Sequence, residues 1–148
     1  MNIDLRLATE SLIPDILDMM SQLYAYDKIR FEYHVNLDNL RLFLNNPGHG
    51  RIWVIYHENQ AIGYLILVFS FSFELKGEVA IINEIYIEDS IYTQEVGIQA
   101  LEFVEMECSI LGIRSLQLEV DTSHENGKNR LFSNCFMGET RMLKTRKL

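Results

Sequence analysis

The chain has 148 residues, of which 48% are hydrophobic and 23% charged, and its formal net charge is −8. This length fits one globular domain spanning 1–148. The acidic excess argues against nucleic-acid binding, which depends on Lys and Arg side chains that neutralise phosphates. The longest apolar run, residues 62–71, is too short to cross a bilayer, and the first residues lack the pattern of a signal peptide. We therefore expect a cytoplasmic protein that binds neither nucleic acid nor a membrane, with monomer and homodimer both left open.

Charge distribution and cysteine content add two further limits. Residues 1–127 carry 7 Lys and Arg against 20 Asp and Glu, whereas residues 128–148 carry 6 against one. This asymmetry fits either separate faces that attract cations and anions or a solvated basic end. Cys108 and Cys135 form no disulfide framework, and no Cys or His cluster has the spacing of a metal site. We expect two buried thiols and no bound metal.

The first half of the chain predicts one strand followed by two helices. Leucines alternate with other residues over 5–7, which is typical of a short strand. Thr9 offers N-cap chemistry for a helix whose apolar residues recur at spacings of three and four and which ends near Tyr26. Asn36 can cap a second helix, and the run Asn-Asn-Pro-Gly-His-Gly at 45–50 ends it. Both helices therefore present one apolar side to a core.

The second half predicts a sheet interrupted by one long helix. The polar turn His-Glu-Asn-Gln at 57–60 joins two strands into a hairpin, and Gly112 is a natural end for the long helix. A short helix over 124–134 and one or two closing strands complete the chain. The order β-α-α-β-β-β-α-β-α-β is an α/β layout around one mixed sheet. The remaining predicted strands cover 52–56, 61–71, 79–87 and 115–120, and the long helix covers 94–111.

This order and several stretches of sequence resemble the GNAT superfamily of N-acetyltransferases over nearly the whole chain. The ending at 141–146 is similar to the family's closing strand. The resemblance implies a GNAT-like acyl-CoA N-acyltransferase fold, in which the fourth strand splays from the fifth. It also implies direct transfer of an acetyl group from acetyl-CoA to a primary amine of a small molecule or a protein. The stretches that carry the resemblance are Arg-Ile-Trp-Val at 51–54, Gln-Ala-Ile-Gly-Tyr at 60–64, Asn-Glu-Ile-Tyr-Ile at 83–87, Ala-Leu-Glu-Phe at 100–103, Leu-Gly-Ile at 111–113 and Leu-Gln-Leu-Glu-Val-Asp at 116–121.

The resemblance implies that acetyl-CoA lies in the cleft between the splayed strands. Its pantetheine arm would bond to the backbone of the fourth strand at Ile85, Tyr86 and Ile87. The pyrophosphate would lie on the loop that opens the long helix, where free N–H groups and the helix dipole favour an anion. The residues that this loop would contribute are Tyr92, Thr93, Gln94, Val96, Gly97 and Ile98.

The loop departs from the family pattern, Arg/Gln-x-x-Gly-x-Gly/Ala. In the register that we prefer, the six places fall on 92–97 and only Gly97 retains a glycine, whereas a shifted register would use 94–99. If the Glu95 carboxylate lay 4 Å from the pyrophosphate, the repulsion would be about 1 kcal/mol in water and about 4 kcal/mol at an effective dielectric of 20. Alternatively, Thr93 caps the helix and Glu95 complements its dipole.

Glu84 is the candidate general base, at the position that the resemblance assigns on the fourth strand. Because strand side chains alternate, only one of Asn83 and Glu84 faces the cleft, and a solvated or salt-bridged Glu84 is the alternative. The family's usual acid for the leaving thiolate is a Tyr, but Leu131 stands at its place and the neighbouring Phe132 has no hydroxyl. His124 could protonate the thiolate, although a surface His at a helix start is the commoner explanation.

Aromatic and acidic residues around the first two helices are candidates for acceptor binding. Tyr24, Tyr26 and Glu32, with Phe71 on the opposite side, would suit a cationic amine, and they would also fit a core with a solvated rim. The leading hypothesis is an N-acetyltransferase that uses acetyl-CoA as co-substrate. The alternative is a catalytically weakened or inactive GNAT-like binding module, because both the loop and the terminal Tyr are altered.

Overall fold

The computed structural model describes residues 1–119, 136, 138 and 141–148. In this part of the chain, five strands form one sheet, with α-helices packed on both of its faces. The strands are β1 (Asp4–Leu7), β2 (Gly50–His57), β3 (Gln60–Ser72), β4 (Gly77–Ile87) and β5 (Ser115–Leu118). The helices are α1 (Ile13–Tyr26), α2 (Tyr33–Leu44) and α3 (Gln94–Ile110), and a short 3₁₀ turn (Glu10–Leu12) precedes α1.

The first helix, α1, buries the apolar side that its periodicity predicts and ends at Tyr26 as expected. Pro14 lies in its first turn, where the missing N–H leaves no helical hydrogen bond unmade. Thr9 gives no side-chain cap bond, because the 3₁₀ turn separates it from α1, and its hydroxyl lies 2.9 Å from that of Ser11. The residues that α1 buries are Ile13, Ile16, Leu17, Met19 and Met20.

The second helix, α2, begins at Tyr33, three residues before the predicted cap. Asn36 lies inside the first turn, and its N–H donates to the carbonyl of Glu32 at 2.9 Å. Glu32 has the extended backbone of an N-cap residue but makes no side-chain cap bond. The prediction of Asn36 as the cap was wrong, because the helix already begins at Tyr33 and the Asn36 N–H makes an ordinary bond of its first turn.

The strands lie in the order β1-β2-β3-β4-β5, with β5 parallel to β4 and all other neighbours antiparallel. A tight turn with positive φ at Glu58 and Asn59 joins β2 to β3. The helix α3 forms the crossover that parallel strands require. Gly112 then adopts a φ of 75°, as expected of the residue that ends a helix. This is the predicted α/β arrangement around one mixed sheet.

The strands β4 and β5 pair over only part of β4. Residues 79–82 lie beside Ser115–Leu118, and β4 then continues to Ile87. No described strand pairs with the side of residues 83–86 that faces away from β3, and we call this side the open edge of β4. Such an end to the pairing is what the predicted splay between the two strands requires. Of the predicted fifth strand, Val120 lies outside the described residues.

Apolar side chains cover both faces of the sheet. The helices α1 and α2 pack on one face, against side chains that include Val54 and Tyr64. The helix α3 packs on the other face, where Leu65 and Leu67 meet the buried thiol of Cys108. These are called the α1–α2 face and the α3 face below. The burial of Cys108 confirms that part of the prediction for the two thiols.

The last described residues do not form the predicted closing strand. Residues 141–148 have no regular secondary structure, and their side chains are exposed. Arg141 contacts Glu74, in the β3–β4 connection, at 3.3 Å. A strand needs a hydrogen-bonded neighbour, and no described strand lies beside residues 141–148. The predicted helix over 124–134 and Cys135 lie outside the described residues.

Candidate active site

A β-bulge in β4 determines which way Glu84 points. Ile66 of β3 lies opposite Glu84 and the next residue, Leu67, lies opposite Ile82, so Asn83 is an extra residue. Leu67 and Ile82 both pack on the α3 face, whereas Ile66 packs on the α1–α2 face. The bulge thus places Glu84 on the α1–α2 face and leaves Asn83 exposed. Unbroken alternation from Ile82 would have placed Glu84 under α3 instead.

Two tyrosines from different elements hold the Glu84 carboxylate. The Tyr24 hydroxyl of α1 donates to Oε2 at 2.8 Å, and the Tyr64 hydroxyl of β3 donates to Oε1 at 2.9 Å. Burial raises the pKa of Glu84, and the nearby charge of Asp27 raises it further, while the two hydrogen bonds lower it without reversing the shift. A partly desolvated carboxylate with a raised pKa is suited to accept a proton from a substrate.

Both tyrosines act as protonated donors to this carboxylate. Burial first, and then the charge of Glu84, raise the pKa of Tyr24 and of Tyr64. Tyr64 is buried and stacks with Tyr86 at a centroid distance of 6.1 Å, and the Tyr86 hydroxyl donates to Gln22 Oε1 at 2.8 Å. Tyr64 was not among the site residues predicted from the sequence. The available signal was a tyrosine within an aliphatic strand, since a buried tyrosine hydroxyl needs a partner.

Peptide groups alternate in direction along the open edge of β4. The Glu88 N–H donates to the Ile62 carbonyl at 2.9 Å, so the peptide groups of Tyr86 also face β3 in the antiparallel register. The alternate residues, Ile85 and Ile87, direct their peptide groups away from β3. Of the three residues predicted to bond to the pantetheine arm, Tyr86 therefore directs its N–H and C=O groups toward β3 instead. Ile85 presents its N–H and C=O groups to the open edge.

The N-terminal turn of α3 follows directly from this end of β4. Thr93 caps the helix, with its Oγ1 accepting the Val96 N–H at 3.2 Å, and Gly97 is buried. The N–H groups of Gln94 and Glu95 have no acceptor among the residues that the structure describes. A helix start leaves such N–H groups, with the positive end of the helix dipole, available to an anion. The turn therefore has two N–H groups of the kind that can bind an anion.

The Glu95 carboxylate turns along α3 rather than toward these N–H groups. Its Oε1 lies 3.4 Å from the Met1 amino group and 3.5 Å from Nε2 of Gln99, one turn further along the helix. The Glu95 side chain is 65% exposed. A solvated carboxylate beside a cation repels a phosphate less than a bare carboxylate does. This geometry agrees with the alternative in which Glu95 complements the helix dipole.

The predicted acceptor residues do not all lie together. Tyr24 contacts Glu84, but Tyr26 is 62% exposed at the end of α1. Glu32 lies 3.7 Å from Arg30. Phe71 stands five residues along β3 from the position opposite Glu84, which is about 17 Å in an extended strand. The structure therefore brings only Tyr24 of this set to the carboxylate.

Two further residues predicted to bind the cofactor, Val96 and Ile98, lie on different sides of α3. Val96 is buried against Ile87, among others, whereas Ile98 is exposed on α3. His124, Leu131 and Phe132 lie outside the described residues. Across the described ranges, no helix is long and apolar enough to span a membrane, and no group of three or more His, Cys, Asp and Glu side chains could hold a metal ion.

No protein-family model and no curated protein matches the chain, but solved structures do. An integron cassette protein, HFX_CASS3, from the mobile metagenome of Cole Harbour Salt Marsh is 25% identical with a TM-score of 0.84, over 97% of this chain and 90% of that one. A possible acetyltransferase from Clostridium difficile 630 is 15% identical with a TM-score of 0.83, over 99% and 98% of the two chains. The aminoglycoside N-acetyltransferase AAC(6')-Iy in complex with CoA is 15% identical with a TM-score of 0.81, over 99% and 95%. The chain shares the fold of these structures, which include an aminoglycoside N-acetyltransferase.

Proposed function

We propose, from the GNAT acetyltransferase fold that this chain has, that it transfers the acetyl group of acetyl-CoA to a primary amine with Glu84 as general base. One observation carries the proposal. A partly desolvated carboxylate, held by two tyrosine hydroxyls, lies on β4 at the point where pairing with β5 has ceased. The amine that reaches Glu84 would meet a thioester lying along the same open edge.

The residues of the open edge fit acetyl-CoA as co-substrate. The outward N–H and C=O groups of Ile85 would bond to the pantetheine arm as an added strand does. The N–H groups of Gln94 and Glu95 would bind the pyrophosphate, with the buried Gly97 behind them. Because the Glu95 carboxylate is turned along α3, it leaves this approach open. A solved neighbour with the same fold holds CoA.

The chemistry follows from the position of Glu84. Its carboxylate takes a proton from the incoming ammonium group, so that the amine nitrogen has a lone pair for attack on the thioester carbonyl carbon. The C–N bond forms and the C–S bond breaks; the leaving CoA thiolate takes up the second proton that the attacking nitrogen loses, and the first proton passes from Glu84 to solvent. The raised pKa of Glu84 brings its proton affinity closer to that of an amine than an ordinary carboxylate would allow. Tyr24 and Tyr64 hold both carboxylate oxygens in place.

The test is the Glu84→Gln variant, assayed for release of the CoA thiol in the presence of a primary amine. We expect its kcat/KM to fall by about 10² to 10⁴, the usual contribution of a general base, with the Kd for acetyl-CoA unchanged. Glu78→Gln is the matched control, because Glu78 lies exposed on the same strand, far from the site. Equal rates for wild type and Glu84→Gln would exclude Glu84 as the base.

The alternative function, a binding module without catalysis, is favoured by one feature of α3. Thr93 uses its own hydroxyl to satisfy the Val96 N–H, which removes one donor from the anion site. Calorimetry with acetyl-CoA separates the two functions. Absence of binding at millimolar acetyl-CoA would remove the transferase proposal, and thiol release that Glu84→Gln abolishes would remove the alternative.

A further inference from the structure

The outward side of α3 carries a row of exposed side chains that are partly apolar and partly acidic. Four residues follow one another at intervals of four, so they form one ridge along the helix. They are Ile98, Glu102, Met106 and Ile110, and the exposed fractions of the three apolar residues are 42%, 53% and 72%. Glu105 is exposed beside Glu102, three residues along the same side. We call these five residues the α3 ridge.

The α3 ridge is negatively charged, and no cation of the described residues pairs with it. The helix contains four glutamates and neither lysine nor arginine. Glu95 lies 3.4 Å from the Met1 amino group, whereas Glu102 and Glu105 form no ion pair among the described residues. Two such ridges placed side by side would repel each other. A surface that matches this ridge therefore carries cations as well as apolar side chains.

Residues 141–148 have the opposite charge and the same mixed character. This stretch, Arg-Met-Leu-Lys-Thr-Arg-Lys-Leu, contains four cations and no acidic residue. Met142 is 81% exposed and Leu143 is 80% exposed, more than any large apolar side chain of the described helices. The three cations that follow Leu143 form no ion pair within the described part of the chain. We call residues 142–148 the basic segment.

The basic segment matches the α3 ridge in length. Ile110 lies twelve residues after Ile98, so the ridge is about 18 Å long. In an extended conformation the basic segment spans about 20 Å. One basic segment can therefore lie along the whole ridge, with its cations at Glu102 and Glu105 and its apolar side chains at the other three residues. In a single copy both surfaces are exposed, so neither covers the other.

We propose that the basic segment of one copy of the chain docks along the α3 ridge of a second copy, and that two chains form a dimer in this way. A two-fold axis would make the contact twice, because each copy offers one segment and one ridge, and the buried area would double. The ridge faces away from the sheet, whereas Glu84 lies on the α1–α2 face. This inference therefore goes beyond the proposed transferase and does not depend on it.

Analytical ultracentrifugation of the full chain, over a range of protein concentrations, tests for this dimer. Between about 0.1 M and about 1 M salt, the Debye length falls from about 10 Å to about 3 Å. Because the contact relies on exposed charges, the Kd of the dimer should rise about tenfold or more over this range. A chain that stays monomeric at millimolar concentration in the lower salt would overturn the proposal, and so would a dimer whose Kd does not change with salt.

Charge reversal separates this interface from any other. The ridge variant carries Glu102→Lys and Glu105→Lys, and the segment variant carries Lys144→Glu and Arg146→Glu. Each variant alone places like charges at both contacts, so the Kd of its dimer should rise about tenfold or more. An equimolar mixture of the two variants should dimerise again, because each reversed surface then meets its complement. Mixing cannot restore a contact that the basic segment makes within its own chain.

The control reverses the same amount of charge at another place. Asp38→Lys with Glu58→Lys changes two exposed acidic residues, one in α2 and one in the β2–β3 turn. The Kd of this control should stay within about twofold of the wild-type value. If a reversed chain fails to fold by circular dichroism, the corresponding glutamine variant replaces it, and its Kd should rise severalfold.

The outcomes separate this inference from the proposed function. A dimer that both reversed variants leave intact would place the interface elsewhere and overturn the docking of the basic segment. A dimer that the variants weaken but that mixing does not restore would overturn it as well, and so would an equal effect of the control. Thiol release from acetyl-CoA tests the transferase separately, so either proposal can fail while the other stands.

Discussion

At the scale of single residues, the protonation of Glu84 depends on opposing influences. Burial and the charge of Asp27 raise its pKa, and the hydroxyls of Tyr24 and Tyr64 lower it. Burial prevails. A carboxyl group whose pKa is higher in the folded state than in the unfolded state lowers stability when ionised, and this cost disappears as the pH falls through the folded pKa. The fold thus retains a somewhat unfavourable charge at the position where the proposed reaction needs a base.

Removal of the Tyr64 hydroxyl should shift the pH profile of the reaction. Tyr64→Phe deletes a donor to Glu84 Oε1, so the pKa of Glu84 should rise further and the acid limb of kcat/KM should move to higher pH. On the acid limb, the rate should fall severalfold and recover as the pH is raised. Tyr86→Phe is the control, since its hydroxyl contacts Gln22 rather than Glu84. An acid limb that stays in place, or moves to lower pH, would contradict this assignment.

At the scale of elements, two backbone features shape the site between β3 and β4. They are the bulge at Asn83 and the glycine at position 63. Asn83 is the extra residue of the bulge, and it turns Glu84 toward α1. Gly63 lies beside the carbonyl of Tyr86, so close that a Cβ atom there would overlap the Tyr86 oxygen. The absence of a side chain at Gly63 therefore permits the close approach of the two strands beside Tyr64 and Tyr86.

Gly63→Ala should destabilise the fold and disturb the site together. The added methyl would push against Tyr86, and overpacking of this kind costs typically 1–3 kcal/mol. We expect a loss of about that size in the free energy of unfolding by urea denaturation. Gly48→Ala is the control, because a Cβ at Gly48 would meet nothing within 4 Å. Equal stabilities of the two variants would show that β3 and β4 adjust without cost.

At the scale of the whole molecule, one sheet separates two chemical environments. Glu84 and its two tyrosine donors lie on the α1–α2 face, whereas α3, on the other face, begins with two N–H groups that have no acceptor among the described residues. In the proposed transferase, the amine would approach the first side and the phosphates of acetyl-CoA would approach the second, with β4 between them. The proposed transferase needs both, since its acceptor is cationic and its co-substrate carries phosphates.

Binding of CoA at β4 and the start of α3 should stabilise the fold. A ligand at 100 times its Kd adds about 2.7 kcal/mol to the free energy of unfolding, which for a domain of this size raises Tm by roughly 5–10 °C. Thermal denaturation with and without CoA measures the effect. Adenosine, which lacks both the phosphates and the pantetheine arm, should give no comparable shift. No change at millimolar CoA would count against the cofactor site.

Local patterns in the sequence determined most of the secondary structure, whereas the resemblance to a known family identified Glu84 as a candidate base. The periodicity of α1, the β2–β3 hairpin, the end of α3 at Gly112 and the strand around Glu84 each depend on neighbouring residues, which a sequence displays directly. The resemblance to a known family then supplied the fold that the solved structures confirm.

Only the tertiary structure decided which side chains meet at the site. The Asn83 bulge breaks the alternation from which a side chain's face would be read, and it arises from pairing with a strand nearly twenty residues away. Tyr64 and Tyr24 reach Glu84 from separate elements, Phe71 does not approach it, and α2 begins three residues before its predicted cap at Asn36. Such outcomes depend on contacts between distant segments, whose free energies are not encoded in any local pattern.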